Sequence, residues 1–350
     1  MVFCAYSRVM DVALWTGNGS STRSISGLSF SPEFVWYKSR SNAYAHQLYD
    51  VVRGSGVGKN LLSNQTDAEG AGSSTYGYLS SFDSAGFSLA AGDDSTFQWG
   101  NQSSATYAAW CWDGGTSTVT NTAGSITSSV RANTSSGFSV VSFTGTGANA
   151  TIGHGGLVNL ANGMIIVKNR SSATNWRVYH SALGNTKAIF LSTTGTPDTS
   201  SAYWNNTSPT STVFSAGSDD GINGNGNAMV AYCFAPVSGY SSFGSYVGTG
   251  TGDGPFVFCN FRPRWIMVKS SDWAGGNWTI IDAARDTYNV TTKVLQAENS
   301  AAEQNYSQGV FDILSNGFKV KYQFDSTNRS STTFIYAAFA ESPFQYARAR

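Results

Sequence analysis

Charge is what this chain has least of. Only 12% of its 350 residues are Asp, Glu, Lys or Arg, and 21 basic residues cancel 21 acidic ones. That is about half the charged share usual in a soluble domain. A nucleic-acid binder needs surplus Lys and Arg to neutralise phosphates and release counterions; there is no surplus and no basic run. No apolar run approaches the roughly 20 residues that span a bilayer. The start, MVFCAYSRVMDVALW, has no basic segment ahead of an apolar one, so no secretory signal is expected. Proline is scarce at 7, and no long segment is rich in Ala, Leu, Glu, Lys and Gln. Helices are therefore not expected to dominate. The four cysteines, Cys4, Cys111, Cys233 and Cys259, form no CxxC, which argues against a zinc knuckle or redox pair. They read as small buried hydrophobes in a reducing compartment.

What is abundant is aromatic and small: 10 Trp, 17 Tyr, 21 Phe and 38 Gly. With plentiful Val and Thr this favours strands. Internal repetition then organises the chain. An aromatic before a Gly-x-Gly turn recurs as WTGNG at 15–19, FTGTG at 143–147 and YVGTG at 246–250. An apolar run closed by Lys follows: FVWYK at 34–38, MIIVK at 164–168 and WIMVK at 265–269. Such continuous runs suit a strand buried on both faces, with Lys38, Lys168 and Lys269 leaving the core at its end. Next comes an alternating segment, HQLYDVVRG at 46–54, WRVYHSALG at 176–184 and WTIIDAARD at 278–286. Then a short strand enters a polar loop: LLSNQTDAE at 61–69, IFLSTTGTPD at 189–198, KVLQAENSAAE at 293–303. A Gly-Phe pair in an aromatic strand marks copies one (Gly86-Phe87) and three (Gly317-Phe318); copy two offers Gly221-Ile222. A closing strand ends each copy: YAAWCWD at 107–113, MVAYCFA at 229–235 and FIYAAFA at 334–340. There Cys111, Cys233 and Ala338 share one position, a small buried packing site.

The spacings Gly17 to Cys111, Gly145 to Cys233 and Gly248 to Ala338 are 94, 88 and 90 residues. Three homologous units follow, 1–115, 136–237 and 238–350, with 116–135 as an extended Ser/Thr/Gly-rich linker or arm. Short strands every 8–15 residues predict an all-β chain of three tandem β-sandwich, jelly-roll-like domains. The best site for a helical turn is 281–288, capped by Asp282.

Candidate chemistry is thin. His46, His154 and His180 are expected on surface loops, with no GxSxG elbow to complete a triad. GSGVGKN at 54–60 imitates a phosphate loop, but Arg53 and Asn60 stand where Gly and Ser/Thr are needed. Asp93-Asp94 and Asp219-Asp220 are adjacent pairs, whereas glycosidases set two carboxylates across a sugar. Asp219 and Asp220, in SDDGINGNGN, offer oxygens that calcium accepts, without the EF-hand frame. Otherwise no metal or cofactor is expected. Asn-x-Ser/Thr triplets reflect composition alone. Trp204, Asn205 and Asn206 in AYWNNTSP form the most suggestive sugar- or partner-binding loop; the competing reading puts Tyr203 and Trp204 at the edge of a core or at a subunit contact.

FSPEFVWYKSR, LYDVVRG, LLSNQTDAE, SFDSAGFSL and YAAWCWDGG resemble a repeat domain of uncharacterised virion proteins of tailed, notably aquatic, bacteriophages, and FIYAAFAESPF at 334–344 resembles the closing motif of that family. The resemblance covers all three copies and is weakest in copy two, where Met164 opens the apolar run. It implies a phage-particle protein, assembled in the bacterial cytoplasm, with no catalytic residues to carry over. The expected function is a tail-fibre or tail-associated adhesin binding host surface glycan. Alternatives are a capsid decoration protein bound to the major capsid protein and, least, a glycan-degrading enzyme. Expected partners are other virion proteins and a homo-oligomeric copy, not nucleic acid or a membrane interior.

Overall fold

The computed structural model describes residues 8–94 and 98–342; Cys4 lies outside them. The architecture is all-β, in several antiparallel sheets with only single helical turns between. One pairing pattern occurs three times. An opening strand (Met10–Thr16, Phe138–Thr144, Ser241–Val247) pairs with a closing strand (Thr106–Trp112, Ala228–Phe234, Thr333–Ala340). The closing strand pairs with an inner strand (Phe34–Ser39, Met164–Asn169, Pro263–Ser270), which pairs with a flanking strand (Gln47–Asp50, Arg177–His180, Thr279–Asp282). The register matches too: Phe34, Met164 and Trp265 oppose Trp112, Phe234 and Phe339.

A smaller sheet faces each of these. In copy one it holds Thr22–Ser26, Gly86–Ala90 and Tyr78–Asp83; in copy three, Phe256–Phe258, Gly317–Val320 and Phe311–Leu314. Copy two has only Ala150–Gly153 against Val213–Ala216. There Phe214 opposes Ile152 as Phe87 opposes Ile25 and Phe318 opposes Val257. Phe214, not the Gly221-Ile222 pair expected from sequence, fills that place; Gly221 and Ile222 belong to the helical turn Asp220–Asn223.

Alternation explains why the inner strands are apolar throughout. One face of copy one's main sheet (Val35, Tyr37, Tyr107, Ala109, Cys111) packs with Ile25, Phe87 and Leu89 of the smaller sheet. The other (Phe34, Trp36, Trp110, Trp112) enters a core shared with Phe138, Tyr232 and Phe234 of copy two and Trp265 and Phe339 of copy three. A strand with cores on both sides has no wet face to fill with polar residues.

The glycine turns are built alike. Gly19, Gly147 and Gly250 adopt φ of +71°, +68° and +68°, the left-handed region that favours glycine. Each donates its N–H to the carbonyl of a buried asparagine, Asn101, Asn223 or Asn328. The side-chain Oδ1 of the same asparagine accepts from the preceding N–H. This asparagine stands ten residues before the Cys111/Cys233/Ala338 position in every copy. It is a further landmark, inconspicuous in a chain rich in Asn.

Two expectations need correction. Residues 116–135 are not an extended linker. Thr118–Asn121 and Ser128–Asn133 form a hairpin that pairs with Phe138–Phe143, widening copy two's sheet to eight strands. A free sheet edge next to a β-prone chain offers unpaired N–H and C=O groups, and the hairpin satisfies them. Residues 281–288 hold the end of a strand and a turn rather than a helix, although Asp282 does accept from the N–H groups of Ala284 and Arg285.

Candidate functional site

The chemistry-bearing side chains gather where the copies meet. Trp112, Phe234 and Phe339 occupy one position of the three closing strands. Their rings meet pairwise edge to face, with centroids 5.8, 5.7 and 5.6 Å apart. This is the geometry the aromatic quadrupole favours, and three mutual contacts at nearly equal distance place the rings around a pseudo-threefold axis.

Seam contacts follow the same symmetry. The first residue of each flanking segment donates a ring N–H to a backbone carbonyl of a neighbouring copy. Trp176 reaches Leu62 at 2.9 Å, Trp278 reaches Phe190 at 2.9 Å, and His46 reaches Gln296 at 2.9 Å. The ring closes: copy two on one, three on two, one on three. His46 is thus the equivalent of two tryptophans. Its tautomer follows from its partners: Trp36 Nε1–H can only donate, so His46 Nδ1 accepts and Nε2 carries the proton.

All three histidines are buried, against the surface position expected for them. Both nitrogens of each are engaged: His180 with Ala182 N–H and Tyr336 O, His154 with Leu157 N–H and Thr210 O. Burial lowers the pKa of each, His180 to about 4. A proton added at Nδ1 would face an N–H donor, so these rings stay neutral.

Lys38, Lys168 and Lys269 do not leave the core; all three are buried. Lys168 Nζ donates to Thr66 O of copy one and to Ser172 O and Thr174 O. Lys269 Nζ reaches Thr194 O of copy two, and Lys38 Nζ reaches Ser39 O and Asn42 O. The long stem crosses the core; the amines of Lys168 and Lys269 tie loops of two copies at a seam, and that of Lys38 ties the turn that follows it in copy one. Desolvation brings Lys38 down to about 7 and Lys168 and Lys269 to about 8. A base depressed in the folded state is protonated first in the unfolded chain, so its contribution to stability falls as pH drops from about 10 toward 7. Between pH 7 and 9 the stability of the natural chain should therefore rise relative to Lys38→Met, followed by urea denaturation at each pH. A pH-independent difference would contradict a depressed Lys38.

Two seams carry ionic chains, each with a buried Asp-Arg pair and a half-buried Glu-Arg pair. Asp50 pairs with Arg53 (2.5 Å), Arg53 with Glu69 (2.7 Å), and Glu69 with Arg170 of copy two (2.7 Å). Asp282, Arg285, Glu303 and Arg40 of copy one repeat this at 2.6, 3.0 and 2.8 Å. Asp50 also accepts from Tyr232 Oη of copy two, and Asp282 from Trp110 Nε1 of copy one. At the third seam the corresponding residues are His180, Leu183, Pro197 and Ser271, so all four members are replaced together. Removing a whole buried network is tolerable where removing one partner is not.

The residues singled out from sequence are dispersed. Trp204 is a correction: it is 1% exposed, ends the helical turn Ser201–Trp204 and donates Nε1–H to Lys187 O. With no open ring face it cannot stack on a sugar; the core-edge reading holds for it and for Tyr203. Asn205 and Asn206 follow in left-handed conformation, with Asn206 exposed. Asp219 caps the Asp220–Asn223 turn through Gly221 N–H and pairs with Arg177 at 3.0 Å. Among the described residues no three His, Cys, Asp or Glu side chains come together to hold a metal. Asp93 is exposed on its loop. The 54–60 segment folds over Arg53, whose Nη1 donates to Lys59 O. Cys111 and Cys233 are buried, as expected of packing positions, and burial pushes the Cys233 thiol up to about 12.

Sequence reasoning missed the burial of Lys38 and the seam function of Lys168, Lys269, Asp50 and Asp282. The signal was present: Lys recurs without exception after three apolar runs, and Asp-x-x-Arg occurs in the two copies whose polar loops end in Glu.

No curated protein matches the chain. One family does, described as "Domain of unknown function (DUF7483)", and its match runs over residues 5–343. A match of that extent takes in all three copies together, and the chain belongs to this DUF7483 family of unknown function.

Proposed function

We propose that the chain is a structural protein of a bacteriophage particle, built as three tandem jelly-roll-like β-sandwich domains closed into a single-chain trimer. The observation that carries this reading is where the ionisable side chains are spent. Two Asp-Arg-Glu-Arg chains and the amines of Lys168 and Lys269 bind the copies to one another. Such groups add resistance to dissociation rather than reactivity. The resemblance of FSPEFVWYKSR and its sister segments to phage virion repeats supplies the setting, a particle assembled in the bacterial cytoplasm. Within it the chain is a tail-associated adhesin that meets the host surface.

A capsid decoration role is the second reading, favoured by one observation. Phe256 and Phe258 are 45% and 59% exposed on copy three, where copy one has Ser24 and Ser26. An exposed aromatic pair in a charge-poor protein suits a protein partner such as the major capsid protein. Cryo-microscopy of the particle separates the two. Density at the tail, with purified chain blocking adsorption to host cells, supports the adhesin. Density on the capsid shell transfers the chain to the second reading, and absence from the particle overturns both.

A further inference from the structure

The 118–133 hairpin does more than close an edge. With the opening strand of copy two it borders a cleft of about 320 Å³ lined by Thr120, Thr127, Ser129, Ser142, Thr144 and Arg170. Strand register puts Thr120 beside Ser129 and Ser129 beside Ser142, so three hydroxyls cross three neighbouring strands in one row. The Thr120, Thr127, Ser129 and Thr144 side chains are exposed. Among the described residues they have no protein hydrogen-bond partner, whereas Ser142 Oγ accepts from Arg170 Nη1 at 3.2 Å and donates to Met229 O at 3.3 Å. Arg170 is held by Glu69 through Nε and Nη2 at 3.0 and 2.7 Å. Three of its five N–H donors are used, leaving two for a ligand.

We propose that this cleft binds an uncharged saccharide unit. Ser and Thr hydroxyls both donate and accept, matching the alternating demands of a sugar's vicinal hydroxyls. The one guanidinium is already neutralised by Glu69, and no carboxylate lines the cleft, so it favours neither anion nor cation. Among the described residues it is a feature of copy two. The position of Ser142 is Leu14 in copy one, and the position of Thr144 is Val247 in copy three. Among the described residues neither copy carries a hairpin like 118–133 on its opening strand. The Ser/Thr richness of the linker thus gains a purpose beyond hairpin formation: Val130 turns into the core while Ser129 turns out.

The inference rests on the adhesin reading for its biological use, but its test is separate. Saturation-transfer NMR on the whole chain with glucose, galactose, mannose, rhamnose and N-acetylglucosamine should show transfer from at least one. Thr120→Val with Ser129→Val, which keeps strand propensity, should weaken that binding at least tenfold, while Asn205→Ala with Asn206→Ala should leave it unchanged. No transfer from any sugar overturns the proposal. So does binding that survives the valine pair, or inorganic phosphate competing for the cleft. Sugar binding by a chain found on the capsid shell would sink the adhesin reading and keep the cleft; a tail-located chain without sugar binding would do the reverse.

Discussion

Replacing Trp112 by Ala is expected to lower the stability of the whole chain by about 3–5 kcal/mol, the range for removing a large ring from a core. Trp112 is 1% exposed and touches Phe34, Phe138, Phe234, Trp265 and Phe339, so the cavity would open to all three copies at once. At roughly 2 °C per kcal/mol for a chain this long, calorimetry should show the midpoint falling about 6–10 °C. The transition should move as one, because copies that share a core cannot melt independently. Trp112→Phe is the informative companion. It installs the ring that copies two and three already have there, and it removes an indole N–H that has no buried partner. Its cost should stay below about 2 kcal/mol, since an unpaired buried donor is itself destabilising. Separate melting of one copy in Trp112→Ala, or a loss under about 1 kcal/mol, would show that the ring layer does not join the copies.

Arg53→Leu should be about as damaging, at roughly 3–5 kcal/mol, for a different reason. It leaves Asp50 buried opposite Tyr232 without a counter-charge, and one orphaned member costs more than the absence of a pair. Asp50→His with Arg53→Leu writes the His180/Leu183 solution of copy two into copy one and leaves the Glu69–Arg170 pair in place. That double variant should recover at least about 1 kcal/mol relative to Arg53→Leu alone, a coupling of the size found for residues in one network. Chemical denaturation of Arg53→Leu, Asp50→His and the double variant measures it. Strict additivity of the two substitutions would mean that the ionic chain does not act as a unit.

Much of the all-β architecture is legible from local pattern. The apolar runs at 34–38, 164–168 and 265–269 became strands buried on both faces, and the closing strands held Cys111, Cys233 and Ala338 at one small position, because side-chain alternation and volume are local properties. The hairpin at 118–133 was harder to read. Its residues are mostly polar and turn-prone, with only Ile126 and Val130 as buried apolar side chains, and the free edge of Phe138–Thr144 makes strands of them. The same holds for Lys38. A lysine ending an apolar run looks like an exit from the core until burial turns its amine onto backbone carbonyls, those of its own turn for Lys38 and also those of another copy for Lys168 and Lys269.

The sequence by itself determined the strands, the glycine turns and the threefold recurrence of landmarks, since these follow from alternation, backbone freedom and spacing along the chain. Only the tertiary structure decided which faces meet. The ring layer of Trp112, Phe234 and Phe339, the neutral histidines and the two ionic chains depend on residues that lie far apart in the chain. Burial, which makes a Lys a tie and withdraws Trp204 from the surface, is a property of neighbours: the rest of copy two for Trp204, and the other copies for Lys168 and Lys269.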